Sequence, residues 1–413
     1  MKRGCFFALT VFFSGITVAS PDRDTAAVWK LQVRINATSG QASLPIASPG
    51  IFNAVAIKLP SGALQSGNWT CAAGKRHTTL TRDEHAPNTS SDLSNLWVLS
   101  QPDSLLSLEY RGQPLTAEIT AIFLWVPPLS ETQHMSAEKR ADCSAPGLIS
   151  QSVWRSGLPA PVPGRSATPT HHCIIHHSGE NNGDTNYTQI VRSYYTYHTT
   201  VNGWDDIGYN YLVAANGTVY AGRDPEKAGI RQDNVLGAHF CGKNNFTMGV
   251  CVIGNFSSAQ PDSLAIQSLE KLLAWKIHQD TLNPYGQFKH PDNAGSWLDV
   301  IAGHRQGCAT ECPGDKLFAR IPAIRDAIAP CALVTAVYTG SNNQQPQLKW
   351  TQGHLKLLNS DTPLQAELTD PAGRLLWKGR VAASPQLVPL AGPVIYRLSV
   401  TPSLVLSGWL IPE

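Results

Sequence analysis

The residues best suited to chemistry in this 413-residue chain lie between His171 and Cys331. His176 ends the apolar run Cys173-Ile174-Ile175. His304 follows another apolar segment in Ala302-Gly303-His304-Arg305. Cys312 comes eight positions later, in Thr310-Glu311-Cys312-Pro313-Gly314-Asp315. Zinc favours imidazole nitrogen and thiolate sulfur, and a catalytic zinc keeps one position for water, so two histidines and one cysteine form a suitable open set. The spacing is neither CxxC nor HExxH, so it does not by itself select these three. Two alternatives stay open at this level. Cys308 lies four residues from both His304 and Cys312 and competes as a ligand, a disulfide partner or a free thiol. The cluster His171, His172, His176 and His177 offers a second metal or a different choice of ligands. His177 is expected to point away from His176, because successive side chains of a strand alternate between faces.

Holding such a set requires alternating strands and helices, and the segment from His171 to Cys331 reads that way. Cys173 to His177 is a short apolar strand. Tyr187, Ile190 or Val191, Tyr194 and His198 fall on one helical face. Two strands, from Ile207 and from Thr218, flank Asn216-Gly217, a strong hairpin turn. Thr247 to Phe256 reads as a buried strand. Pro261-Asp262-Ser263 opens a helix striped by Ile266, Leu269, Leu273 and Ile277, and a final helix carries Leu317, Ile321, Ile324 and Ile328. Together these predict one α/β domain with an adequate core.

The flanks differ. From residue 20 to residue 153, alternating runs such as AVWKLQVRI, FNAVAIKL and AEITAIFLWV, punctuated by Gly, Pro, Asn and Ser, predict an N-terminal β-sandwich domain. Residues 154–170 are rich in Pro, Gly and Ser and predict a linker. Residues 332–413 return to strand patterning and predict a small C-terminal β domain. Trp204 and Trp275 are read as packing residues.

Residues 1–19 have a Lys2-Arg3 head, an apolar run from Cys5 and the small-residue site Thr17-Val18-Ala19, the pattern of a secretory signal peptide. A secreted, periplasmic or cell-surface location is expected, with no spanning segment in the mature chain. The net charge of +2 shows no basic excess pointing to nucleic acid. Charged residues make up 15%, well below the usual quarter, as suits a β-rich exported protein. Past the signal there are eight cysteines. Reserving Cys312 for metal leaves an odd number, so at least one free thiol is expected.

The central segment resembles the peptidoglycan recognition protein and type 2 N-acetylmuramoyl-L-alanine amidase superfamily. The matching residues are IIHHS at 174–178, YHTTVNGWDDIGYNYLVAANGTVYAGR at 197–223, GAH at 237–239, MGVCVIGNF from Met248, and GHR with TECPGD between Gly303 and Asp315. The resemblance implies one zinc per chain on His176, His304 and Cys312, a catalytic Tyr209, and Thr310 at a position occupied by Lys or Thr in the family. It also implies that His198 and His239 line or support the substrate groove. The implied substrate is peptidoglycan, or muramoyl peptides, cut between the lactyl group of N-acetylmuramic acid and L-alanine. Some amidases of this superfamily carry a Glu on the strand matching MGVCVIGNF; this sequence has none there, and Glu311 is expected to face solvent. Two other readings are a recognition protein that binds without cutting, whose relatives usually lack the cysteine, and a surface adhesin with a vestigial amidase domain.

Overall fold

Strict alternation of apolar and polar residues builds the N-terminal region. In the first strand Leu31, Val33 and Ile35 point inward while Lys30, Gln32 and Arg34 face solvent. The computed structural model describes residues 24–83, 91–129, 143–180, 182–292 and 295–332, then 347–351, 354–358, 364–369, 374–382, 384, 386–388, 394–401 and 404–410. The expected signal peptide lies outside the described residues. Seven strands make up the N-terminal region: β1 (Ala27–Ala37), β2 (Gln41–Pro60), β3 (Gly67–Ala73), β4 (Arg76–Thr79), β5 (Ser91–Leu93), β6 (Trp97–Gly112) and β7 (Leu115–Trp125). Their order is β1-β7-β2-β6-β3-β4, with β5 pairing on β2.

The strands join in one hydrogen-bonded sheet. Its link is β2, 20 residues with register shifts between Ala47 and Ala54. Its first half pairs with β6 and its second half also with β7. The second half is buried on both faces. Phe52, Val55 and Ile57 enter the region's own core, while Ala54 and Ala56 join a second core with Ile190, Val191 and Tyr194 of the central domain.

After the short helix α1 (Gln151–Trp154), the central domain runs β8 (His172–His177), α2 (Tyr187–Thr200), β9 (Tyr211–Val213), β10 (Val219–Ala221), β11 (Thr247–Val252), α3 (Ser263–Gln279), β12 (Gln287–Lys289), β13 (Trp297–Asp299), β14 (Ile301–Gly303), α4 (Asp315–Phe318) and α5 (Ile321–Ala332). The main sheet has the order β10-β9-β11-β8-β14. The β9–β10 hairpin is antiparallel; β11 is parallel to β9 and β8, and β14 is parallel to β8. Every residue of β8 and β11 is buried, as expected of parallel strands covered on both faces. One face packs on α3 and α5 through Ile266, Leu269, Leu273, Ile324 and Ile328, and the other lies towards α2. The single final helix read from the sequence is two pieces, α4 and α5. Pro322 has no amide hydrogen to continue the α4 ladder, and it sits in the first turn of α5, where none is needed.

The linker expectation needs correction. Residues 154–170 lie against the central domain instead of spacing two bodies. Trp154 is fully buried, and its indole N–H donates to the Ala221 carbonyl at 2.7 Å. The Arg165 guanidinium reaches buried Asp206 at 3.0 Å, and Thr168 and Thr170 are buried. The polar composition that suggests a spacer is here consumed by hydrogen bonds to the domain. A disulfide joins Cys143 to Cys331, fastening the chain before α1 to the end of α5.

In the C-terminal region β15 (Gln347–Thr351), β16 (His354–Leu358) and β19 (Gln386–Leu387) form one antiparallel sheet. β17 (Leu364–Thr369), β18 (Leu375–Val381), β20 (Val394–Thr401) and β21 (Leu404–Leu410) form another, in the order β18-β17-β20-β21. The two share a core that includes Leu355, Leu357, Ala366, Leu368, Val381 and Leu398. Among the described residues no helix is long and apolar enough to cross a membrane.

Candidate active site and metal centre

Three parallel strands end side by side and deliver the site. His176 is near the end of β8, level with Cys251 on β11. β14 runs beside β8 and releases the chain at Gly303, so His304 opens the 3-10 turn that follows. That turn and the loop after it return Cys312 to β8, where its sulfur accepts the His177 amide hydrogen at 3.3 Å. Gly314 makes the return possible: its φ is +83°, and a Cβ there would collide with the backbone of Phe256.

The donor atoms of His176, His304 and Cys312 all lie within 4.8 Å of one another, and all three residues are buried. The Nδ1 of His176 is 3.8 Å from the Cys312 sulfur. In a tetrahedral zinc site with ordinary bond lengths the corresponding nitrogen–sulfur edge is about 3.6 Å. Donor chemistry and spacing therefore both fit a zinc ion. The rival Cys308 is joined to Cys241 in a disulfide and has no thiolate to offer. Cys71, Cys173 and Cys251 are the other free thiols among the described residues, all buried.

A hydrogen-bonded chain sets the tautomer of His176. The Thr247 hydroxyl donates to the Asn244 carbonyl at 2.7 Å, so its oxygen accepts from His239 Nε2 at 3.3 Å. That leaves His239 Nδ1 bare, to accept from His176 Nε2 at 2.9 Å. His176 then keeps its lone pair on Nδ1, the nitrogen facing Cys312. An imidazole that donates its other N–H to a fixed acceptor is the usual arrangement for a metal ligand. The His239 ring has room only because β11 carries Gly249 opposite it: a Cβ at that position would meet His239 Cδ2 at 2.5 Å. The sequence reading associated His239 with the groove; its contact with a candidate ligand was not visible there.

Tyr209 is buried with its ring centroid 5.4 Å from that of His176. Its side chain hydrogen-bonds the Cys251 thiol. Burial, together with the Cys251 and Cys312 sulfurs, holds its phenol well above the usual tyrosine range, so the hydroxyl keeps its proton. Thr310 is half-buried, and its hydroxyl oxygen accepts the Cys312 amide hydrogen at 3.1 Å, bracing the turn that carries the sulfur. Glu311 is exposed, as expected. His177 points to the other face of β8, where the Phe256 amide donates to its Nδ1 at 3.3 Å.

His198 does not join the three donors. It is buried against Trp204, ring centroids 4.6 Å apart, and its Nδ1 accepts the Gly208 amide hydrogen at 3.3 Å. It thus supports the loop that leads into Tyr209. Trp275, on α3, is partly buried against the core. Sequence reasoning missed Asp206, three residues before Tyr209. Its buried carboxylate accepts from Arg165, Gln151 and the amides of Ile207 and Asp224. Burial raises its pKa, while these donors and the Arg165 charge act against that rise. The doubled acid of Trp204-Asp205-Asp206 was the available signal, since a side chain in a turn rich in backbone donors is a natural anchor.

A family model described as N-acetylmuramoyl-L-alanine amidase matches residues 166–315. Peptidoglycan-recognition protein SC1a of Drosophila melanogaster is 30% identical over 152 residues, 36% of this chain and 71% of that protein. The chain belongs to the peptidoglycan-recognition protein and type 2 N-acetylmuramoyl-L-alanine amidase superfamily. The N-acetylmuramoyl-L-alanine amidase of Homo sapiens is 34% identical over 129 residues, 31% of this chain and 19% of the human protein. The solved structure of wild-type Drosophila PGRP-LB, 28% identical, covers 43% of this chain and 93% of its own, with a TM-score of 0.34. Membership makes the central domain one concerned with peptidoglycan, by cleavage or by recognition.

Proposed function

We propose that this protein is a zinc-dependent N-acetylmuramoyl-L-alanine amidase, with the catalytic ion held by His176, His304 and Cys312. One observation carries the reading: a buried cysteine sulfur completes the pair of histidines, with all donor atoms inside 4.8 Å. Three protein donors leave a tetrahedral ion one open position, as a catalytic site needs. Zinc bound there supplies Lewis acidity towards water and towards the lactyl carbonyl.

The remaining work falls to the chain. His239 holds His176 in the ligating tautomer. The protonated Tyr209 hydroxyl donates to the carbonyl oxygen as negative charge builds on it, a contribution of about 3 kcal/mol for a well-placed donor. The Thr310 hydroxyl, whose oxygen accepts the Cys312 amide hydrogen, keeps its own hydrogen as a second donor. The proposed substrate is peptidoglycan or its muramoyl peptides, met outside the cytoplasm after export directed by residues 1–19.

Mass spectrometry of peptidoglycan digested by the purified protein tests the reading. The expected products are stem peptides with a free L-alanine amine and glycan carrying a free lactyl carboxyl. Cys312→Ala should lose both the catalytic zinc and these products. Muropeptides bound but left intact by zinc-loaded protein would make it a recognition protein instead. Zinc retained at this position in Cys312→Ala would overturn the ligand set.

A further inference from the structure

The histidine cluster at the other end of β8 takes no part in the site above. His172 opens the strand four residues before His176, about 13 Å away along an extended chain. His290 follows β12, in the hairpin whose other arm, β13, ends at Asp299. Both histidines are fully buried, with ring centroids 5.5 Å apart. His171 stands beside them, its ring stacked between Phe246 and Phe288 at 4.7 Å from each.

Backbone carbonyls fix both tautomers. His172 Nδ1 lies 2.9 Å from the carbonyl oxygen of Asp299, and His290 Nε2 lies 2.9 Å from that of Asn245. A carbonyl only accepts, so each of these nitrogens carries the hydrogen. The opposite nitrogens, His172 Nε2 and His290 Nδ1, are therefore bare lone pairs, and both are buried without a hydrogen-bond partner. Native interiors rarely leave such atoms unsatisfied, and an orphaned one calls for an ion or a water. An N–H pinned on a carbonyl with a lone pair opposite is also the form in which histidine ligates metals.

We propose that His172 and His290 form a second metal site, distinct from the catalytic one, that takes a borderline divalent cation such as Zn²⁺, Ni²⁺ or Cu²⁺. Two imidazoles sharing one tetrahedral ion at ordinary bond lengths have ring centroids about 5.2 Å apart, close to the spacing found. The cation class follows from the donors, since imidazole suits these ions and not Mg²⁺ or Ca²⁺. Burial pushes the pKa of His172 down to about 4, so it stays a neutral donor at ordinary pH. Only two protein donors are offered, so the remaining positions go to water, and this ion is held more weakly than one bound by two histidines and a thiolate. Occupancy would clamp the β12–β13 hairpin onto the start of β8.

Loading the full-length protein with ¹¹³Cd²⁺ separates the two sites by NMR, because thiolate ligation shifts the resonance far from that of a nitrogen–oxygen site. Two resonances are expected, one of the thiolate type and one not. His172→Gln and His290→Gln should each remove the second and leave the first. Equilibrium dialysis against excess Zn²⁺ should fall from two equivalents to one in the same variants. A single thiolate-type resonance in the wild-type protein would overturn the proposal and leave the lone pairs to water. So would a second resonance that persists in both variants, which would mark adventitious surface binding. If only the thiolate-type signal is missing, the catalytic assignment fails and this one stands.

Discussion

Replacing His239 with alanine isolates the part of the site that reaches beyond the three candidate ligands. In the wild-type chain, Thr247 holds His239 and His239 accepts the Nε2 hydrogen of His176 at 2.9 Å, all in buried surroundings. The alanine variant leaves that N–H buried without an acceptor, at a cost of about 1–3 kcal/mol. The cost falls on the tautomer that presents Nδ1 to the metal, so it should appear as lost zinc affinity. Loss of a supporting partner typically weakens metal binding about 10–100-fold, or about 1.4–2.7 kcal/mol, which agrees with the first figure. Competition against a chelator of known affinity reads this directly, with circular dichroism to check the fold. Thr247→Val keeps the His239 ring but removes the oxygen that sets its tautomer, so a smaller loss in the same direction is expected. Unchanged zinc affinity in a folded His239→Ala protein would refute the reasoning. A raised KM at unchanged affinity would move His239 into the substrate groove.

Tyr209→Phe should keep zinc and fold while kcat falls about 100–1000-fold, the usual effect of losing one donor to a developing oxyanion; a near-normal kcat would reduce Tyr209 to packing. Lys276 is fully buried on α3, with Asp233 at 2.5 Å and Asp280 at 2.6 Å. Lys276→Met should destabilise the protein in urea melts by about 1–3 kcal/mol, less than for an unpaired buried charge, because Arg231 still pairs with Asp233 at 3.0 Å; a loss below about 1 kcal/mol would show that the ion pair behaves as a solvated one. Glu180 is buried just past β8, and burial pushes its pKa up to about 8. As pH rises from about 4.3, the unfolded chain releases this proton while the folded protein keeps it until about pH 8, so stability falls across that window by at most ~1.4 kcal/mol per pH unit. Glu180→Gln should flatten that part of the profile, and an unchanged slope between pH 5 and 8 would exclude Glu180 as its source.

The zinc-type donors and the elements that carry them were legible because their signals are local. Short apolar runs show β8 and β11, a 3.6-residue stripe shows α2 and α3, and Asn216-Gly217 shows the β9–β10 hairpin. The order of motifs from IIHHS to TECPGD showed the family. What stayed hidden depended on which distant segments meet. The sheet order β10-β9-β11-β8-β14 brings His304 and Cys312 to His176, and it sets His239 beside His176 across 63 residues of chain. Cys143 and Cys331 pair across 188 residues, and no spacing rule selects that partner over the other thiols. Residues 154–170 read as a spacer because composition reports polarity and not the Asp206 carboxylate or Ala221 carbonyl that receive it. The runs from Ala27, Phe52 and Ala117 fall within β1, β2 and β7, yet alternation cannot say whether a 20-residue strand serves one sheet or crosses between two. Local patterns follow from the repeat geometry of the backbone, so a short stretch of sequence determines them. Tautomers, disulfide partners and buried ion pairs depend on atoms that only the folded chain brings together.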